Sequence, residues 1–475
     1  MIRLVVAVTG AVLILLGAGC SLHQPQPIPV PVDIPAEFAS SVAPAPSLAE
    51  RWWTLLEDQR LDALMNEAFR ANLDLDQAVA RLRQLEATSR SVGAARQPSL
   101  DLQGQASRES TPSFFGDNEG DSYRLSLAAA FEVDLWNKLK SRRDASRLEA
   151  EASRSEVLSL YLRLSAQVAD LYYLAAEQRH QLQLTRQTIA AHSETLERVD
   201  RRYRQGLVPA LDVYQARQNL AAAKTREPEF EAGLAQAEHA LSVLLGRYPK
   251  RLDSAEVVSL QSIPDVFPAG LPSELLARRP DVRAAFLQVE ASDERIAETI
   301  ADRFPSFNLA ASYGEMNTAF STGDITGTFW DFSASLLQPL IDGGRRRAEV
   351  DRSRAEFAER LAAYQKTALT AFQEVEDALV ANRGTQRRII MLEDQARASR
   401  ASLRLATDRY LQGLSDYLPV LTAQTRLFDA QSQLLSARRQ LIVDRIDLAR
   451  VLGGTWMETE LSDRMSQRPT QGLNR

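Results

Sequence analysis

The stretch Ser99-Leu-Asp-Leu-Gln-Gly-Gln-Ala-Ser-Arg108 alternates. Leu100, Leu102, Gly104 and Ala106 share one face, and Asp101, Gln103, Gln105 and Ser107 share the other. Period two over about ten residues marks a strand with one apolar face. Three further segments repeat the pattern. Tyr123, Leu125, Leu127, Ala129 and Phe131 fall together in one. Phe307, Leu309, Ala311 and Tyr313, then Trp330, Phe332, Ala334 and Leu336, form the apolar faces of the others, opposite Asn308, Ser312, Asp331, Ser333 and Ser335. Strands are expected at about 99–108, 123–131, 306–314 and 329–337, each pair separated by a Gly/Ser/Asp-rich loop. Such alternation suits a soluble half-buried sheet. With aromatics near the ends it also suits strands of an outer membrane.

Working outward, the chain aligns with itself at one shift of 207 residues. Arg96-Gln-Pro-Ser-Leu-Asp-Leu102 matches Arg303-Phe-Pro-Ser-Phe-Asn-Leu309. Tyr203, Gln205, Gly206 and Leu207 match Tyr410, Gln412, Gly413 and Leu414. Leu245-Gly246 matches Leu452-Gly453, and Ala78 matches Ala285. One gapless offset at separate places means two copies of one unit, read as residues 51–260 and 261–457, followed by a polar tail at 458–475. Each copy runs helix, strand pair, very long helix, Gly-containing break and second helix, with long helical hairpins at 137–246 and 345–453. Asn137 to Gln205 contains neither Gly nor Pro. As one helix it would extend roughly 100 Å at 1.5 Å per residue. Val157, Leu160, Leu164, Val168, Leu171 and Leu174 recur every three or four residues, the pattern of a packed helical seam.

Composition narrows the function. The chain has 475 residues, 56 Lys plus Arg against 62 Asp plus Glu, and a net charge of −6. That balance gives no basis for nucleic acid as the main partner. Cys20 is the single cysteine, which excludes intramolecular disulfides and cysteine clusters. Four histidines, His23, His180, His192 and His239, make no HExxH pair, and no Walker A, GxGxxG or GxSxG motif occurs. His180, His192 and His239 are expected on helix surfaces.

Residues 1–19 read as an export signal, with a basic start and a short apolar run. The exit Leu16-Gly-Ala-Gly-Cys20 resembles a bacterial lipobox, with Gly17 where the box usually has Leu. Cys20 is therefore expected to carry covalent lipid, and Ser21 is expected to direct sorting to the outer membrane. Residues 20–50 form the anchor and a Pro-rich extended arm. Four strands cannot close a barrel alone, and open edges are not tolerated in lipid. If these strands span a membrane, several chains must share one barrel.

The residues FEVDLWNKLKSRRDAS (131–146), RYRQGLVPALDVYQARQNL (202–220), LLARRPDVRAAF (275–286), RFPSFNLAASYG (303–314), LLQPLIDGGRRRAEVDRS (336–353) and RYLQGLSDYLPVLTAQTRLF (409–428) carry a family resemblance. With the duplication and lipobox, nearly the whole mature chain resembles the TolC-like outer-membrane efflux proteins, in their lipoprotein (OprM/NodT-type) branch. The resemblance implies a mainly α fold with membrane β. It implies a homotrimer in which each chain gives four strands to a shared 12-stranded barrel, above a periplasmic α-helical barrel. It also implies a passive duct for drugs and toxic compounds. The implied partners are a periplasmic adaptor, an inner-membrane transporter of the proton-driven RND type and outer-membrane lipid, with no cofactor beyond the lipid on Cys20.

On that resemblance, Gly206, Leu207, Gly413, Leu414 and Ser415 mark adaptor-contacting tips. Asp416 is the leading periplasmic gate candidate, with Arg409, Tyr410 and Tyr417 as its possible partners and Asp212 and Tyr203 in the related region of the first copy. Tyr123, Phe131, Trp136, Phe307, Tyr313 and Trp330 are candidate membrane-interface aromatics. Trp52 and Trp53 are expected in the packed body. The basic runs Lys138–Arg143 and Arg345–Arg347 suit either lipid phosphates or a solvated helix face. A protein-secretion duct of the same fold and a lipid-anchored periplasmic coiled-coil scaffold or adaptor remain alternatives. A scaffold would have no use for paired strands with lipid-facing aromatics.

Overall fold

The computed structural model describes residues 22–29, 51–113, 116–251, 260, 275–276, 278–320 and 323–466. The expected signal, Cys20 and most of the arm lie outside them. After a turn of 3-10 helix at Trp52–Leu56, the described residues hold α1 (Gln59–Ala71), α2 (Leu73–Ala94), β1 (Ser99–Ser113), β2 (Gly116–Val133), α3 (Lys138–Arg204), α4 (Ala210–Leu244), α5 (Pro280–Ala301), β3 (Ser306–Phe320), β4 (Gly323–Leu337), α6 (Arg345–Leu411), α7 (Leu418–Leu452) and α8 (Trp456–Ser466). Adding 207 to the bounds of α2, β1 and α3 gives the bounds of α5, β3 and α6. α3 and α6 each have 67 residues, and α4 and α7 each have 35.

The chain divides into two compact units that cut across the repeats. The first unit comprises residues 1–31, 80–155 and 284–367. It holds an antiparallel sheet in the order β1-β2-β3-β4. The strands are longer than the alternating segments, because pairing continues to Ser113↔Gly116 and Phe320↔Gly323. The Gly/Ser/Asp-rich stretches expected as loops are mostly strand. Backbone pairing does not require apolar side chains, so it outlasts the hydrophobic pattern. Below the sheet, Leu148 and Ala152 of α3 pack with Leu287 and Ala291 of α5. Around them, Lys138 reaches Glu132 at 3.5 Å and Asp302 at 3.2 Å. Arg142 meets Glu298 at 2.7 Å, and Arg346 meets Asp302 at 3.1 Å. The basic runs are therefore partly neutralised within the fold and are not simply a solvated face.

The second unit comprises residues 32–79, 156–283 and 368–475. Its core is aromatic. Trp52 and Trp53 are buried, as expected. Trp53 meets Trp456 edge-on at 4.8 Å, and the Trp52 indole N–H donates to Ser165 Oγ at 3.0 Å. Asp58 caps α1 by accepting from the backbone N–H groups of Arg60 and Leu61, and Tyr172 donates to its second oxygen. The boundary at 457 and the polar tail need correction. Residues 456–466 form α8, with Trp456, Met457 and Leu461 buried. Arg464 donates to the carbonyl of Phe69 near the end of α1 and to Asp76. Three well-spaced apolar residues outweigh the polar average of that segment.

His192 also departs from expectation. It is buried on α3, seven residues from buried Thr185 and from buried Val199. Burial, and then Arg226, hold its imidazole below the usual histidine range. Heptad spacing placed it in a packed seam despite its polarity. His180 is half-buried and His239 is exposed.

Gly246 ends α4 at φ +66°, where an added Cβ would lie 2.4 Å from the Ala71 carbonyl oxygen. Gly206 has φ +73° and open space around it. Gly206→Ala is expected to cost about 1–2 kcal/mol from backbone strain alone, and Gly246→Ala clearly more. Thermal unfolding midpoints in detergent check this, with equal losses contradicting the steric difference.

Candidate functional site

Two helix reversals in the second unit are built alike. α3 ends with Gly206 N–H donating to Tyr203 O at 2.8 Å and Leu207 N–H donating to Arg202 O at 3.0 Å. α6 ends with Gly413 N–H to Tyr410 O and Leu414 N–H to Arg409 O, both at 3.0 Å. These paired bonds are a Schellman closure, which needs a left-handed residue at the glycine position. Gly206 and Gly413 supply it at φ +73° and +75°. The closures leave Leu207 and Leu414 exposed, with Leu211, Tyr214 and Leu418. Ser415 is half-buried. Exposed leucines at both reversals make an apolar surface suited to a protein partner.

Behind the reversals the two hairpins lock together. Val199, Val213, Ala216, Tyr410, Tyr417 and Val420 form one buried cluster. Within it Tyr410 Oη donates to Asp212 Oδ2 at 3.1 Å. The Tyr410 and Tyr417 rings lie 5.4 Å apart. Arg202 donates to the carbonyl oxygens of Leu411 at 3.0 Å and Tyr410 at 3.3 Å. Its guanidinium also stands over the Tyr410 ring at 5.1 Å.

Asp212 is buried in the first turn of α4, where the helix dipole favours an anion. Burial nonetheless raises its carboxyl above the usual range. The Tyr410 hydrogen bond opposes this, repulsion from Asp416 adds to it, and Arg202 opposes it. Tyr417 is pushed up to about 12 by burial and then by Asp212. Tyr410 is raised for the same reasons.

The candidates thus separate. Asp212, Tyr410 and Tyr417 come together, whereas Asp416, Arg409 and Tyr203 are exposed. Tyr410 serves Asp212 and not Asp416. The repeat is broken here, since position 419, the counterpart of Asp212, is Pro. Arg202 was missed by sequence reading. Its signal was the shared Arg-Tyr pair at 202–203 and 409–410, of which the first supplies the half-buried arginine contact and the second the buried tyrosine.

The sheet forms the second candidate surface. Register aligns Leu102, Leu127, Tyr313 and Trp330 in one row, and Leu100, Ala129, Ala311 and Phe332 in the next. Trp330 is 77% exposed and Leu102 70%. Tyr123 lies on the same face four residues beyond Leu127, and Phe131 and Phe307 lie on it at the opposite end. Tyr123 to Val133 is 133 − 123 + 1 = 11 residues, the length a tilted strand needs to cross a bilayer. The opposite face aligns Asp101, Ala128, Ser312 and Asp331. Trp136 lies past the strand end. It donates to the Pro305 carbonyl at 2.8 Å and packs on Phe304.

Among the described residues, no helix is long and apolar enough to cross a membrane. No cluster of three or more His, Cys, Asp or Glu side chains there could hold a metal.

Comparison with known proteins gives consistent matches. A family model described as "Outer membrane efflux protein" matches residues 64–247 and again 271–454, stretches separated by the same 207 residues. A solvent efflux pump outer membrane protein, SrpC of Pseudomonas putida, is 31% identical over 412 residues, covering 84% of this chain and 86% of its own. The cation efflux system protein CusC of Escherichia coli is 28% identical over 452 residues, covering 93% and 96%. The structure of the outer-membrane channel OprN superposes with a TM-score of 0.85 at 26% identity, covering 92% of this chain and all of that one.

Removing the Tyr410 hydroxyl leaves a buried carboxylate short of a donor, at a cost of about 1–3 kcal/mol. Tyr410→Phe is therefore expected to speed amide exchange at both reversals. Because the folded pKa of Asp212 is raised, its protonated form favours packing. The packing around Asp212 should be most stable below the unfolded carboxyl pKa and lose stability as pH rises through the raised one, while the Tyr410 hydrogen bond offsets part of that loss. Asp212→Asn should remove that pH dependence. Exchange profiles that stay unchanged between wild type and both variants would contradict the lock.

Proposed function

Because the chain belongs to the outer membrane efflux protein family, we propose that it works as a homotrimeric exit duct for small molecules. The chain itself is an outer-membrane channel component of an efflux system. The observation that carries an assembly of several copies is the four-stranded sheet with an apolar exposed face and with β1 and β4 at its edges; the number three is what the family resemblance implies. Single-chain outer-membrane barrels begin at about eight strands, and unpaired strand edges are excluded from lipid. Three copies give twelve strands, with each β4 edge meeting the β1 edge of the next copy. The apolar rows then face lipid, with Tyr313 and Trp330 inside one of them, Tyr123 toward one end, Phe131 and Phe307 toward the other, and Trp136 at the strand–helix corner. The row holding Asp101, Ser312 and Asp331 then faces a wet lumen.

The duct performs no covalent chemistry in this reading, and energy comes from elsewhere. The two reversals, with Gly206, Leu207, Gly413, Leu414 and Ser415, receive a periplasmic adaptor. The adaptor links the duct to an inner-membrane transporter of the proton-driven RND type. The names of the relatives, which include solvent and cation efflux components, support small cargo over secreted proteins. Acyl chains on Cys20 fasten the chain to the inner leaflet, since several chains anchor where one is marginal.

The Asp212–Tyr410 lock holds the two hairpins of each chain together at the periplasmic end. Exposed Asp416, close enough to raise the Asp212 carboxyl, then stands beside the opening, with Arg409 and Tyr203 as further gate candidates. Three Asp416 carboxylates around one axis repel one another and attract cations.

Purified protein in a planar bilayer should show discrete, passive conductance. Asp416→Ala should raise the leak of the resting channel. Absence of any conductance would overturn the duct, and an unaltered leak in the variant would remove Asp416 from the gate.

A further inference from the structure

The segment Leu22-His-Gln-Pro-Gln-Pro-Ile-Pro29 belongs to the first compact unit. Prolines at 25, 27 and 29 remove backbone donors and keep the strap extended. Its residues are exposed except His23 and Ile28, which are half-buried. His23 Nε2 lies 2.8 Å from Asp293 Oδ1 on α5, across 270 residues of sequence. The two side chains are only 12% and 11% exposed. Asp293 sits on a helix whose neighbouring Val289 and Ile296 are fully buried. A carboxylate in that setting needs a polar partner, and the strap delivers one.

The position of this bond gives it a further role. Asp293 precedes the end of α5 at Ala301 by eight residues, about 12 Å of helix. β3 starts at Ser306, and its apolar face starts with Phe307. Cys20 precedes His23 by three residues, and three residues span at most about 11 Å. Through His23 the cysteine is therefore tethered to the helix that leads directly into β3, whose end meets the bilayer surface in the duct reading.

We propose that the His23–Asp293 pair is a docking clip that fixes where the acylated N-terminus leaves the protein body. The clip's partner is the chain's own lipid-bearing end, in the inner leaflet of the membrane. This rests on the readings that Cys20 is acylated and that the strands cross the membrane. Without the clip the lipid would hang from an arm running to residue 50. A Pro-rich stretch can span about 3.1 Å per residue, so an anchor held only from residue 50 would no longer be registered to the strands. With the clip, acyl chains and apolar strand faces meet the bilayer as one surface, which raises their effective concentration for each other.

The test uses the full-length protein in detergent and two readouts, the mass of the Cys20 peptide and amide exchange of residues 22–29. In the wild type the peptide should carry acyl chains and the strap should be protected. His23→Ala removes a side chain from outside the helical body and leaves one carboxylate on α5 unpaired, too small a loss to unfold the helices. It should speed strap exchange about tenfold or more and leave acylation intact. Asp293→Ala should match it, and the double variant should be no worse than either single one. Strap exchange unchanged by His23→Ala overturns the clip. An unacylated wild-type Cys20 overturns its anchoring role even where exchange responds, and this separates failure of the lipid reading from failure of the contact.

Discussion

An N–H or C=O group left without a partner in hydrocarbon costs several kcal/mol. That constraint organises this protein. A four-stranded sheet whose exposed face carries Trp330, Phe332, Leu100 and Leu102 is poorly suited to water, and its two edges are unsuited to lipid. In the proposed trimer, joining edges among copies answers both problems, because it would close every ladder and turn each apolar row toward the bilayer. The polar row with Asp101 and Asp331 then has a wet interior to face. In that proposal a passive pore is the functional consequence of satisfying backbone groups.

The duplicated chain supplies the strands in two equivalent pairs, and its hairpins depart from equivalence at the Asp212–Tyr410 contact. Tyr203 and Tyr410 occupy matching positions, yet only Tyr410 is buried. Its partner Asp212 has Pro419 as its counterpart. The first copy thus contributes the carboxylate and Arg202, and the second contributes the phenol. A contact made from unlike halves of a repeat can tie two hairpins to each other without closing each upon itself. Its buried carboxylate, held above the usual range, makes the tie adjustable.

Much of this was legible in the sequence because it depends on period and spacing. The alternation at 99–108 and 306–314 gave the strands, and the 207-residue shift gave their number. The Tyr-x-Gln-Gly-Leu pattern placed both helix reversals. What stayed hidden depends on tertiary partners. The polar halves of β1 and β2 pair through backbone, which composition does not register. His192 reads as a surface residue until its heptad neighbours Thr185 and Val199 are considered together. Arg202, Asp293 and the strap residue His23 each act through groups distant in the chain, and no local pattern announces such contacts. α8 was masked by its polar average, although Trp456, Met457 and Leu461 fall at helical spacing.

Closure of the sheet among three copies is the claim on which lumen, lipid face and gate all depend. Electron microscopy of the detergent-purified protein, with particle mass measured in parallel, tests it most directly. The prediction is a three-fold particle with the mass of three chains and a continuous barrel wall at one end. A monomer, or a two-fold particle with open sheet edges, would contradict it.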